Sequence, residues 1–137
     1  MDVRDVMTTD VQVVSPETTL REAACLMRDH DIGSLPVHRD DRLVGMLTDR
    51  DLVVRGLADG KGLDEQVSAV MSEGVKYCYE DQPVEDVAAN MSELQVRRLP
   101  VVSREKRLVG FVSLANIASA RDKSATEDLL GGTATPH

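Results

Sequence analysis

Two nonapeptides in this chain place a hydroxyl three residues ahead of a carboxylate or an amide. The first runs LVGMLTDRD over residues 43–51 and puts Thr48 before Asp51; the second runs LVGFVSLAN over residues 108–116 and puts Ser113 before Asn116. One reading is a capping box, whose hydroxyl caps a helix while the side chain three residues on bonds back. The other is ligand binding, since a carboxylate accepts hydrogen bonds and a hydroxyl both donates and accepts. Arg97-Arg98 offers a second chemistry, either a bidentate clamp on a phosphate or a solvated pair that guards a strand edge. Asp29-His30-Asp31 contains metal-ligand types, but its spacing is that of a helix end rather than a converging shell, so no metal is read there. His38 and His137 have no partners in the sequence. A Ser-His-Asp pattern, a paired-carboxylate motif and a Walker Gly-rich loop are all missing, and the chain does not read as an enzyme.

The elements that must position these groups emerge from an internal repeat. Val3-Arg4-Asp5-Val6-Met7 matches Val67-Ser68-Ala69-Val70-Met71 at an offset of 64 residues, and Leu35-Pro36-Val37 matches Leu99-Pro100-Val101 at the same offset. Leu43-Val44-Gly45 then falls on Leu108-Val109-Gly110 after one extra residue in a polar turn. Leu20, Ala23, Ala24 and Met27 keep the spacing of a helix buried on one face, and Val84, Val87, Ala88 and Met91 repeat the phase, with Asp81 as the expected N-cap and Pro83 in the first turn. Apolar runs on either side of RDDR and SREK read as hairpins. A second helix is expected at Asp49 to Leu57, closed by Gly56, and another at Leu114 to Ala120. Leading strands are expected at Val11 to Val14 and Val75 to Tyr79, which makes each copy β-α-β-β-α. Ala58 to Gly62 reads as a hinge, and a frayed tail is expected from Lys123.

Composition narrows the partners. Among 137 residues there is one Phe, two Tyr and no Trp, so the core must be aliphatic. A net charge of -8 argues against wrapping a nucleic-acid backbone, although a few placed cations can still hold one small anion. The N-terminus lacks a basic stretch leading into an apolar one, and no run approaches a membrane span, which suggests a cytoplasmic protein with no membrane or nucleic-acid partner. Cys25 and Cys78 read as thiols packed as small hydrophobes.

The VxxVM opening, a strand ending before Ser15-Pro16, the LPV strand and Gly-apolar-apolar-Thr/Ser-x-x-Asp/Asn together resemble a tandem pair of cystathionine-beta-synthase (CBS) domains, a Bateman module, over about Met1 to Arg121. The resemblance implies an α+β fold of two repeats, residues 1–60 and 61–121, each with a short entry helix and packed sheet to sheet about a pseudo-two-fold axis, with 122–137 as a flexible tail. It implies a homodimer, a regulatory adenosine-containing ligand rather than a required cofactor, and a separate effector protein. By the family's crossed arrangement, Thr48, Arg50 and Asp51 would join Lys76, Tyr77, Val96, Arg97, Arg98 and Pro100 around an adenine nucleotide, with AMP favoured, then ADP, ATP or NAD(H). Asp51 would accept from the ribose hydroxyls and the arginines would hold the phosphate; Tyr77 could stack on a base or simply pack in its strand. Ser113 and Asn116 with Gln12, Val13, Ile32, Gly33, Ser34 and Pro36 would form a weaker second cleft, because Gly33-Ser34 stands where the other has arginines. An interaction module with a vestigial site is the alternative.

Overall fold

The computed structural model describes the backbone of residues 1–131 and the side chains of residues 1–123. Two compact units form, and neither is continuous in sequence. A repeat-one unit takes Asp10–Lys76 with Glu105–Leu108; a repeat-two unit takes Met1–Thr9, Tyr77–Arg104 and the chain from Val109 onward.

In the repeat-one unit, helix α1 (Leu20–His30) starts at Thr19, whose hydroxyl accepts from the Glu22 N–H, and stops at Asp31 in the left-handed conformation. The hairpin follows as expected. Strands β1 (Ser34–Arg39) and β2 (Arg42–Thr48) pair antiparallel with Ser34 opposite Thr48 and Leu35 opposite Leu47. The Asp40-Asp41 turn has φ of 52° and 64°, the left-handed pair that matches strand twist in a two-residue hairpin loop. A one-turn helix α2 (Asp49–Asp51) then continues as a π-helix over Leu52–Leu57. Leu20, Ala23, Met27, Leu35, Val37 and Leu47 are buried together.

In the repeat-two unit, β3 (Cys78–Tyr79) runs parallel to β4 (Arg98–Val102), which neighbours β5 (Leu108–Ser113) in the order β3-β4-β5. Helix α3 (Val84–Leu94) buries Val84, Val87 and Met91 against this sheet's core, and α4 spans Leu114–Gly131. These are the two β-α-β-β-α-like repeats expected from the sequence.

The openings of the repeats are exchanged. Val3 is fully buried beside Val84, Val87 and Met91, and Thr8 pairs with Phe111 through hydrogen bonds of 2.8 and 2.9 Å, so the first residues of repeat one complete the repeat-two unit. Reciprocally, Val67 and Val70 join the repeat-one core, and Met46 and Ser72 exchange backbone bonds of 3.0 and 2.8 Å. Each LVG glycine makes room for this contact. A Cβ on Gly110 would lie 2.7 Å from the Thr8 carbonyl oxygen, and one on Gly45 would lie 2.8 Å from Met71 Sδ and 3.0 Å from the Ser72 carbonyl oxygen. The compact units therefore differ from the sequence repeats 1–60 and 61–121.

Several local expectations are corrected. The leading strand of repeat one shrinks to a single bridge, Val14 to Val37, because a Ser15–Thr18 turn bends the chain away immediately after it. Its counterpart is only Cys78–Tyr79. Asp81 does not cap α3; it pairs with Arg104 at 2.7 Å, a stronger partner than an N-terminal amide, and Pro83 occupies the N-cap without a side-chain bond. Gly56 does not close its helix. It is buried within the π-helix against Leu20, and the chain turns at Gly60 with φ of 76°. Ala58 to Gly62 lies inside the repeat-one unit, not at a junction between units. Ala24 is exposed rather than part of the buried stripe. Helix α4 continues past Ala120 through the expected tail to Gly131, a stretch without an internal Gly or Pro to stop it; residues 132–137 of that tail lie outside the described residues.

Candidate functional site

Both nonapeptides form complete capping boxes. At the end of β2, Thr48 Oγ1 accepts from the Asp51 N–H at 3.1 Å, and Asp51 Oδ2 accepts from the Thr48 N–H at 2.9 Å. At the end of β5, Ser113 Oγ accepts from the Asn116 N–H at 3.0 Å, and Asn116 Oδ1 accepts from the Ser113 N–H at 3.1 Å. The backbone geometry is duplicated; the chemistry left over is not. Asp51 retains Oδ1, an anionic acceptor, on a side chain that is 14% exposed. Asn116 must turn its carbonyl oxygen toward the Ser113 N–H, so the group it retains is the amide NH₂, a donor only. The Asn116 carbonyl oxygen is thus already engaged by the cap.

Asp51 has a neighbour that sequence reading passed over. Arg55 Nε lies 3.9 Å from Asp51 Oδ1, and Arg55 Nη1 reaches the carbonyl oxygens of Val70 and Met71 at 3.4 Å each. The signal was present, because an acid four residues ahead of an arginine is the favourable helical pairing. Arg55 thus connects the capping carboxylate to the opening segment of repeat two.

Within each unit, the capping box adjoins the start of the same repeat's hairpin. The Asp49 N–H donates to the Gly33 carbonyl at 2.9 Å, and Ser34 pairs with Thr48. A Cβ on Gly33 would meet Asp49 Oδ2 at 3.0 Å. In the other unit, the Leu114 N–H donates to the Arg97 carbonyl at 2.9 Å. Arg97 and Arg98 are exposed, and the Arg98 guanidinium lies 5.2 Å from the Phe111 ring centre, a cation–π contact that sequence reading also missed. Arg97 makes no ion pair among the described residues.

The remaining candidates divide between scaffold and surface. Pro36 and Pro100 are buried, and their carbonyls accept from the Val14 N–H at 3.1 Å and from Cys78 Sγ at 3.8 Å. Gln12, Val13, Ile32 and Val96 are half-buried; Ile32 packs on the repeat-one core and Val96 on the repeat-two core. Arg50 and Lys76 are exposed, and Tyr77 packs edge-to-face on Tyr79 with ring centres 5.7 Å apart. Its ring is already engaged with a neighbour.

The model of the CBS domain matches residues 3–56 and 67–123, which is the same pair of copies that the internal repeat marks out. The chain belongs to the CBS-domain family. CBS modules are regulatory rather than catalytic, and this tandem pair is one of them. Hypoxic response protein 1 of Mycobacterium tuberculosis is 44% identical over 117 residues, covering 84% of this chain and 81% of that protein. A crystal structure of Hypoxic Response Protein I with two coordinated zinc ions aligns at a TM-score of 0.78 and 42% identity, over 87% of this chain and 98% of that one. CBSX2 in complex with AMP aligns at 0.79 and 28% identity, over 90% and 98%. The CBS domain pair of protein MJ0100, in complex with 5'-methylthioadenosine and S-adenosyl-L-methionine, aligns at 0.75 and 27%, over 90% and 98%. CBS pairs of this fold thus bind adenosine-containing ligands or metals. Among the described residues of this chain, no three His, Cys, Asp or Glu side chains converge in a way that could hold a metal ion. No described helix is long and apolar enough to cross a membrane.

Proposed function

We propose that this CBS pair senses adenine nucleotides, AMP ahead of ADP, ATP or NAD(H), and signals in trans through conformation or assembly. The observation that carries the reading is Asp51 Oδ1, a carboxylate oxygen left over by the capping box and suited to accept from ribose hydroxyls. The reading assigns Thr48, Arg50 and Asp51, with Lys76, Tyr77, Val96, Arg97, Arg98 and Pro100, to one nucleotide. Two adjacent arginines suit a single phosphate, and Arg97, free of ion pairs among the described residues, is the more available. The AMP complex of CBSX2 supports this choice of ligand.

Gln12, Val13, Ile32, Gly33, Ser34 and Pro36, with Ser113 and Asn116, form the weaker site on this reading. The donor left on Asn116 meets a ribose less well than a carboxylate does, and no arginine pair accompanies it. The protein acts as a cytoplasmic homodimer, where the nucleotide pool is, and hands its output to an effector protein. One observation favours assembly instead: both capping boxes are complete from the chain's own groups, so the motif also has a structural use.

Thermal melting with AMP, ADP, ATP, NAD(H) and S-adenosylmethionine separates the two readings. A ligand at a hundred times its Kd stabilises the protein by about 2.7 kcal/mol. Stabilisation by one of these supports sensing, and none from any of them supports assembly alone.

A further inference from the structure

Within the repeat-one unit, Arg55 stands between two sets of acceptors and is in close contact with neither. Its Nε lies 3.9 Å from Asp51 Oδ1, and its Nη1 lies 3.4 Å from the carbonyl oxygens of both Val70 and Met71. A guanidinium committed to one carboxylate sits about 2.7–2.9 Å away. This chain builds that geometry elsewhere, with Arg104 at 2.7 Å from Asp81. The Arg55 guanidinium is thus shared between the carboxylate and the backbone.

Neither side needs it as a prop. The Asp51 carboxylate is already fixed through Oδ2, which accepts from the Thr48 N–H at 2.9 Å, so Arg55 approaches the one oxygen that the cap leaves over. The Val70-Met71 segment is already tied to β2, because Met46 and Ser72 exchange bonds of 3.0 and 2.8 Å. What Arg55 adds is a link between the two. The link also belongs to the repeat that has the carboxylate. After the one-residue insertion, Asn116 and Ala120 of repeat two stand in the places of Asp51 and Arg55, so the acid and the arginine are present together and lost together. Arg55 rides on the π-helix Leu52–Leu57, where the Ala58 N–H donates to the Val53 carbonyl at 2.9 Å, whereas α4 at the equivalent place is a regular α-helix. Such π turns recur at functional sites.

We propose that Arg55 is the relay of the nucleotide site, a positioning residue that passes occupancy of Asp51 Oδ1 to the opening segment of repeat two. The proposal rests on the reading of Asp51 as the ribose acceptor. Ribose hydroxyls donating to Oδ1 take up its lone pairs and weaken its hold on the guanidinium. The guanidinium then closes on the Val70 and Met71 carbonyls, and residues 67–72 tighten. What the carboxylate gives up the carbonyls gain, so Arg55 carries the response while changing affinity little.

Hydrogen exchange of the peptide covering residues 67–72, read by mass spectrometry, tests the relay with and without nucleotide. Without nucleotide, Asp51→Asn removes the anion. It should slow exchange of the Val70, Met71 and Ser72 amides by about threefold or more, and should do nothing in an Arg55→Gln background. The peptide of residues 3–8, whose repeat has Ala120 in the place of Arg55, should not move in this arm. With saturating AMP, the wild type should show the same slowing. Arg55→Gln should lose it while keeping the AMP Kd within about threefold of wild type, as suits a half-exposed contact. Exchange of 67–72 that is unchanged or faster in Asp51→Asn, or that slows as much in the Arg55→Gln background, would overturn the relay whether or not a nucleotide binds. AMP that binds without slowing 67–72, or that slows it equally in Arg55→Gln, would overturn the relay and leave the sensing reading standing. Failure of AMP to bind the wild type would remove the sensing reading and the relay with it.

Discussion

Replacing Asp51 by Asn separates the two jobs that this side chain is given. An Asn can keep the cap, because Asn116 does so in the second repeat at 3.1 Å, but it turns the leftover group from an anionic acceptor into a donor. Stability should change by less than about 0.5 kcal/mol, since the only other loss is a 3.9 Å contact to a half-exposed Arg55. Asp51→Ala removes the back-bond of the capping box as well and should cost about 1 kcal/mol. For binding, losing hydrogen bonds to a charged acceptor costs roughly 1.5–3 kcal/mol, or about 12- to 150-fold in affinity. With AMP at a hundred times the wild-type Kd, the wild type gains about 2.7 kcal/mol, whereas a thirtyfold weaker variant gains about 0.9 kcal/mol. For a chain of this size those figures are melting shifts of about 10 and 3 °C. Scanning fluorimetry of wild type, Asp51→Asn and Asp51→Ala, with and without AMP, reads all six states. A full AMP shift in Asp51→Asn would refute the role given to Oδ1, and an Asp51→Asn apoprotein melting as low as Asp51→Ala would refute the division between cap and site.

The exchanged openings predict that Gly110→Ala and Gly45→Ala each lose about 1–3 kcal/mol in urea unfolding, because the new methyl meets backbone oxygen, while Gly62→Ala, with nothing within 4 Å, stays near neutral. Loss from Gly62→Ala alone would contradict the packing. Burial pushes the Cys78 thiol up to about 11, so it should resist a thiol reagent at pH 8 until the protein unfolds, whereas half-buried Cys25 should react in the native state. Rapid native labelling of Cys78 would count against its site in the core. The Arg104 guanidinium holds the Asp81 carboxyl below its usual range. That stabilisation is complete above the ordinary carboxylate pKa of about 4 and is lost as the pH falls through the lowered value. The melting gap between wild type and Asp81→Asn should therefore close on acidification, and a gap that widens would be inconsistent with the pair.

What could be read from the sequence was local or repeated. Thr48 and Asp51 are three residues apart, so their capping geometry is written in one turn, and the repeat, after its one-residue insertion, carries it to Ser113 and Asn116. The aliphatic stripes of α1 and α3 were legible for the same reason. Ala24 failed because periodicity records an apolar face without saying how far one unit covers it. The leading strands failed because Val14 and Cys78-Tyr79 are ordered by long-range bridges to Val37 and Val101-Val102, not by a pattern of their own. Exchange of the openings was equally hidden: Val3 and Val67 look alike, and nothing local says which core receives each. The opposite leftovers of Asp51 and Asn116 needed the hydrogen-bond geometry, since either residue type can cap.

Calorimetric titration of AMP into wild type and Asn116→Asp tests most directly whether one scaffold, written twice, retains one full-strength nucleotide site. The account predicts one strong AMP per wild-type chain, and a second, tighter event than before in Asn116→Asp, where the cap again leaves an anionic oxygen. Two equal strong sites in the wild type, or none, would contradict it.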